Sequence, residues 1–337
     1  MMQRAERNSN FELLRIVAMA FIVFWHISVH AQNEAPMSNN YVLAFTITGV
    51  NLFVLISGYF NIKLKFRSLL EILGSVVFYY ILSLAAIYVV FGQKPTQEEW
   101  LTVFTPISDS PWWFMRCYIE LMLISPLLNI FLKNSSKGEH LYVLGAMLFL
   151  GCISGYYFEN PINLTGYNTF QFATLYILGD AIRRFEWDKR IAAKWLIIVH
   201  IIATFTIFIT SHNNLNVRYY NNPFIVTAAF CLFSLFTKAN IQNKLINRAA
   251  TYMLPVYLIQ DSPFGYYIYR LLYDTGTKMN FEGTKYIAVL TVYIIALLTS
   301  AFLVESIRLW LTKRPLDFIA RKIEIAGQKL TKQTINL

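Results

Sequence analysis

The sequence predicts an all-α polytopic membrane protein of about ten transmembrane helices, with both termini cytoplasmic. Three observations lead there. Of 337 residues, 56% are hydrophobic and 14% charged, against about 25% charged in a typical soluble domain. Apolar runs recur along the whole chain, without the period-two alternation that a β-barrel needs. The basic residues concentrate in every second connection, as the positive-inside rule requires. That bias also accounts for the net charge of +10, so nucleic acid is not an expected partner.

Ten segments read as spans. Those at 11–30, 42–60, 69–92 and 112–132 have the roughly 20 mostly apolar residues that cross a bilayer. Those at 140–156, 168–183 and 223–237 are short and are expected to tilt or break. The segments at 193–210 and 286–311 are again long, and 250–272 contains Pro255 and Pro263, which interrupt a helix and free backbone carbonyls. With the N-terminus inside, the inner connections hold Arg4 and Arg7, then Lys63, Lys65 and Arg67, then Lys133 and Lys137, then the run from Arg183 to Lys194, then Lys238, Lys244 and Arg248. The outer connections hold only Lys94, Arg218, Lys278 and Lys285. Adding or removing one span would reverse the sign of every later loop.

Residues 1–312 form the membrane domain. Residues 313–337 read as a cytoplasmic basic tail, with Leu316, Ile319, Ile323 and Leu330 on one side of a helix and Arg321, Lys322 and Lys329 elsewhere, a pattern that lies on a lipid surface. Cys117, Cys152 and Cys231 sit inside apolar runs without metal-ligand spacing, and no metal is expected. The outer loops at 157–167 and 211–222 are rich in Asn and Tyr, side chains that suit a sugar through paired donors, acceptors and flat apolar faces. An interfacial aromatic belt accounts for the same residues one by one.

Ionisable residues inside the spans are costly, roughly 2.5–3.5 kcal/mol each at a helix centre on insertion scales. The first span carries Glu12, Arg15, His26 and His30. Arg15 and His26 are eleven residues apart, three turns plus about 20°, so they share a face about 16 Å apart along the axis. A local i,i+3 pair explains Glu12 well and Arg15 less well. An imidazole is suited to proton transfer at neutral pH, which favours a functional His26. In 112–129, Arg116 and Glu120 are four apart and equally suit a buried ion pair. In 252–270, Gln260 and Asp261 fall at mid-depth beside the proline-broken helix. Lys63, Lys65 and Arg67 could hold a polyphosphate, or simply anchor the helix. The chain has no glycine-rich phosphate loop, no HExxH and no serine-hydrolase elbow.

Five segments in order resemble the acyltransferase-3 family of integral membrane acyltransferases, in particular the short bacterial surface-polysaccharide O-acetyltransferases without an SGNH domain. Arg15 to His26, with Glu12 before it, resembles the family's first-helix Arg-x10-His signature. Gly49 to Phe60, GVNLFVLISGYF, is similar to its second helix. PWWFMRCYIELMLISPLLN resembles its WF…Y…SP.LN segment, YILGDAIRR its Y..LG segment, and TYMLPVYLIQDSPFGYYIYR its YLIH-type helix.

The resemblance implies a donor, usually acetyl-CoA, bound from the cytoplasm and a sugar hydroxyl acylated on the outer side. It implies His26 as the catalytic residue, with Arg15 as its partner and Glu12 beside it. Donor contacts are expected from Arg15, Lys63, Lys65 and Arg67, and acceptor contacts from Asn51, Trp113, Arg116, Tyr118, Gln260 and Asp261. Arg15 and Arg116 are the candidates for donor placement or oxyanion stabilisation. Two departures stand out. Lys63, Lys65 and Arg67 replace a pair of arginines three apart, and Gln260 stands where histidine is common. His26 must then be oriented by another acid, Asp261 or Glu305. The expected partners are acyl-CoA, membrane lipid, and an envelope polysaccharide or lipid-linked sugar. A polytopic transporter or flippase for a glycan precursor is the alternative, since buried charges in many helices serve transport equally well. A non-catalytic partner in glycan assembly is a third reading.

Overall fold

The computed structural model describes residues 8–31, 37–105, 112–211, 218–278 and 284–335. Every element among them is helical. The first half runs through α1 (Ser9–His30), α2 (Met37–Thr46), α3 (Gly49–Phe60), α4 (Phe66–Phe91), α5 (Gln97–Phe104), α6 (Trp113–Asn134) and α7 (Lys137–Leu148), which continues as a π-helix over Phe149–Gly155. The second half comprises α8 (Thr169–Arg184), α9 (Trp187–Arg190), α10 (Ala193–Ser211), α11 (Pro223–Lys238), α12 (Lys244–Ala249), α13 (Met253–Gln260), α14 (Pro263–Lys278) and α15 (Thr284–Ile335).

Among the described residues, seven stretches are long and apolar enough to cross a membrane: Ser9–His30, Val42–Phe60, Phe66–Phe91, Trp113–Asn134, Lys137–Gly155, Ala193–Ser211 and Ala288–Thr312. The other three expected spans are helical but shorter. α8 and α11 have 16 residues each, and the segment at 250–272 is divided between α13 and α14. α15 continues without interruption past Pro315, so the tail is an extension of the last helix. The side chains of Leu316, Arg321, Lys329 and Leu330, on which its amphipathic reading rests, lie outside the described residues, as do Arg4, Arg7 and loop residues 212–217.

α8 is the centre of the bundle, buried without a break from Gln171 to Ile182. It packs on α3 at van der Waals range because both helices offer glycine at the crossing. A Cβ on Gly58 would collide with the Tyr176 backbone, and one on Gly179 would meet the Leu55 carbonyl at 2.5 Å. Close backbone approach over small residues is how membrane helices gain packing energy in lipid, where apolar burial alone gives no advantage. The Tyr176 hydroxyl donates to Asn129 Oδ1 at 2.7 Å and accepts from Ile62 N at 2.7 Å, while Asn129 Nδ2 donates to Ile62 O at 2.8 Å. These bonds satisfy the backbone just after α3, whose C-cap Asn61 has a φ of 53°.

The start of α1 is fixed in the same way. Asn8 caps it, accepting from Asn10 N at 3.0 Å. Asn10 accepts from Ile241 N at 2.7 Å and donates to Ala239 O, and Ser9 Oγ accepts from Asn243 N at 2.9 Å. The polar stripe of α1 therefore has a set position against the connection after α11. At the other end, Asn163 and Asn221 of the Asn-rich connections are held in a buried network. Asn221 Nδ2 donates to Gly151 O in the π-helix at 2.9 Å, and Asn163 Nδ2 donates to Gln171 Oε1 at 2.9 Å. Asn51 Nδ2 and Gln171 Nε2 both donate to Tyr220 O, at 3.1 and 3.0 Å. The sugar contacts expected of these loops do not fall on Asn163 or Asn221, which close the loops onto the helices.

Candidate functional site

Arg15 Nη1 donates to Glu12 Oε1 at 2.6 Å. The glutamate is buried, whereas 35% of the Arg15 side chain remains accessible. That accessible surface belongs to a cavity of about 780 Å³. Along α1 its wall runs through Asn8, Phe11, Glu12, Arg15, Met19 and Ile22, one face of the helix as the 3.6-residue repeat requires. α3 adds Phe53, Ser57 and Phe60, α6 adds Phe114, Met115 and Tyr118, and α13 adds Met253, Leu254 and Tyr257. Ser57 Oγ lies 3.4 Å from the Tyr118 hydroxyl, and Tyr118 stacks on Phe114 with ring centroids 5.8 Å apart.

Beyond Ile22 lies a second, far smaller chamber of about 10 Å³ that holds His26. Trp25, Trp113 and Tyr220 are among its walls. Trp113 stacks on Tyr220 at 5.2 Å, and Tyr220 is held by the two amide bonds to its carbonyl. Asn51 thus acts on the chamber through Tyr220 and does not face it.

His26 is buried, with Nδ1 3.7 Å from Asp261 Oδ1. Asp261 reaches it because the chain breaks there. α13 ends at Gln260, Pro263 opens α14, and Ser262 Oγ caps the new helix by accepting from Gly265 N at 3.0 Å. Ser83 Oγ of α4 accepts from Phe264 N at 2.8 Å. A Cβ on Gly265 would strike the Gln260 carbonyl, so the turn needs glycine at that position. The break presents Gln260 and Asp261 side by side to α1. The Tyr266 hydroxyl donates to Asp261 Oδ1 at 3.0 Å, and the Tyr269 hydroxyl donates to Gln260 Oε1 at 3.1 Å. His30, one turn beyond His26, packs on the rings of Tyr266 and Tyr269 at 5.0 and 5.8 Å. Gln260 lies beside the imidazole, yet its Nε2, His26 Nδ1 and the Tyr257 hydroxyl are all buried without a well-formed hydrogen bond among the described residues. Unpaired buried polar groups are costly; two of these three residues, His26 and Tyr257, line the chamber.

A match to the acyltransferase domain model extends over residues 8–306 of the 337. The chain belongs to the acyltransferase-3 family. It is a membrane acyltransferase by that membership, and no curated protein and no solved structure matches it. Its acyltransferase-3 domain brings Glu12, Arg15 and Tyr118 to the large cavity and His26 and Trp113 to the chamber, with Gln260 and Asp261 against the histidine. Other expected residues stand apart. Arg116 lines neither space, and Glu120, its expected ion-pair partner, accepts instead from Thr169. Lys63 and Lys65 are exposed and do not line the cavity. Arg67 pairs with Glu71 at 3.0 Å and Asp317 at 2.7 Å. Glu305 is held by Arg308 at 2.7 Å and Tyr79 at 3.1 Å, which leaves Asp261 as the acid beside His26. Among the described residues no group of three His, Cys, Asp or Glu side chains could hold a metal ion.

The site residues to which the sequence reading gave no role are Ile22, His30, Phe114, Tyr220, Tyr257 and Tyr266. Ile22 precedes His26 by four residues and Tyr257 precedes Asp261 by four, so helical periodicity alone could have found both.

Proposed function

We propose that the protein transfers an acetyl group from cytoplasmic acetyl-CoA to a hydroxyl of an extracytoplasmic or lipid-linked sugar of the cell envelope. It does so as a ten-span protein of the plasma membrane with both termini in the cytoplasm. The observation that carries this reading is the pair of spaces along α1. The large one begins at the Glu12–Arg15 pair and ends against the chamber of His26. Arg15 and His26 are about 16 Å apart on the helix axis, a distance comparable to the reach of a pantetheine arm. A coenzyme bound at Arg15 would thus present its thioester near His26.

In this mechanism Asp261 holds the Nδ1 proton of His26, which leaves Nε2 as the base. Catalytic hydrogen bonds are often long before substrate binds, consistent with 3.7 Å here. The acceptor hydroxyl gives its proton to Nε2 as its oxygen attacks the thioester carbonyl. The tetrahedral oxyanion collapses with formation of the ester and cleavage of the C–S bond, and His26 returns the proton to the departing coenzyme A thiolate. Arg15 lies too far along the helix to touch that oxyanion and serves donor placement. Tyr257 lines both spaces, and its buried hydroxyl is the available oxyanion donor.

Mass spectrometry of envelope glycans from cells with and without the gene tests the reading. It expects loss of ester-linked acetyl on deletion. Unchanged acetylation with altered glycan export would make the protein a transporter instead.

A further inference from the structure

Three helices each contribute one residue to both spaces. On α1 the large cavity follows the helix up to Ile22, and the chamber begins at Ile22 and continues to His26. On α6 the chamber takes Trp113 and Phe114, and the cavity takes Phe114, Met115 and Tyr118. On α13 the cavity takes Met253, Leu254 and Tyr257, and the chamber takes Tyr257. Ile22, Phe114 and Tyr257 therefore form a collar between the two. Each side of it differs sharply in room, about 780 Å³ against about 10 Å³. The smaller space leaves room for little more than one small group, such as a water or a methyl. Collar residues cannot yield cheaply. Ile22 is buried and branched at Cβ, Phe114 is stacked on Tyr118, and Phe114 and Tyr257 pack edge to face at 5.6 Å.

The geometry points to this collar as an acyl-length sieve: Ile22, Phe114 and Tyr257 admit a two-carbon acyl group to His26 and hold back longer ones. The inference rests on the acyltransferase reading above, in which the donor enters from the Arg15 end. A longer chain can still occupy the large apolar cavity, but its thioester carbon then stops short of the imidazole. Selection acts on transfer more than on donor binding. One methylene too many in an apolar pocket is worth about 10- to 200-fold in discrimination.

The test uses inside-out membrane vesicles carrying the full-length protein, supplied with acetyl-, propionyl- or butyryl-CoA at equal concentration. Ester-bound acyl groups on the vesicles' envelope glycans are released by alkali and quantified. Wild type is expected to transfer acetyl at least 100-fold better than butyryl, a conservative total for two methylenes. Ile22→Ala and Phe114→Leu are each expected to raise the butyryl-to-acetyl ratio by about tenfold or more. Ile22→Val, which removes one methyl and keeps the branch, moves the ratio the same way by a smaller factor and serves if the larger truncations do not accumulate. Acetyl transfer with an unchanged ratio in these variants overturns the sieve and leaves the acyltransferase reading standing, as does a wild-type ratio near one. No acyl ester from any of the three donors with wild type overturns that reading, and the sieve falls with it.

Discussion

Among the described residues there are two buried histidine–aspartate pairs of nearly the same length, in different surroundings. His26 Nδ1 is 3.7 Å from Asp261, and His140 Nδ1 is 3.8 Å from Asp180. Asp180 also takes Arg183 and Arg184, and Arg184 in turn reaches the Leu132 and Ser135 carbonyls. His140 Nε2 lies 3.4 Å from the Ile177 carbonyl. The second pair is thus a clasp that ties the start of α7 and the ends of α6 and α8 together. Asp261, by contrast, has no arginine or lysine partner among the described residues, and its histidine borders a chamber. In the proposed function, what sets the His26 pair apart is an aspartate without a cationic partner, next to a histidine that borders a chamber.

Substitutions can break this comparison. The largest effect is expected from His26→Ala, which should lower acyl transfer by about 10²–10⁴-fold, the range for a lost general base. His140→Ala should leave the rate per folded molecule within about threefold, since it removes packing rather than chemistry. Equal losses of turnover in the two variants, measured on folded protein, would erase the distinction. Asp261→Asn should cost at least about tenfold in kcat with little change in the thermal midpoint. Asp180→Asn should do the reverse, lowering stability by about 1–3 kcal/mol in a detergent melt, a buried-pair penalty reduced because Arg183 is half exposed. Smaller again, Arg15→Ala should raise KM for acetyl-CoA about tenfold while kcat falls less, the loss of one charge-assisted contact. Smallest of all, Lys63→Ala and Lys65→Ala should each change KM by no more than about twofold, because neither side chain lines the cavity.

Much of this was legible in the sequence where the signal is local. The shared face of Arg15 and His26 follows from the helical repeat, and both lie along the successive spaces on α1. The break at 260–263 follows from proline chemistry, and it is the break that brings Asp261 to His26. Matters that depend on distant partners were not legible. Asn51 looks like a ligand contact until Tyr220, 169 residues away, claims its amide. Arg67 looks like a phosphate contact until Asp317 pairs with it. α8 is short and polar for a span, yet it is buried without a break from Gln171 to Ile182, and Gly58 and Gly179 let α3 lie directly on it. The collar needed the phases of three helices at once, and a single chain pattern gives each phase but not their meeting.

In the proposed mechanism His26 and its chamber carry the transfer. A single-turnover experiment with labelled acetyl-CoA, purified full-length protein and envelope glycan tests it most directly. Wild type and His140→Ala are expected to move label to the glycan, while His26→Ala retains acetyl-CoA binding and moves none. Label reaching the glycan at the wild-type rate in His26→Ala would contradict it.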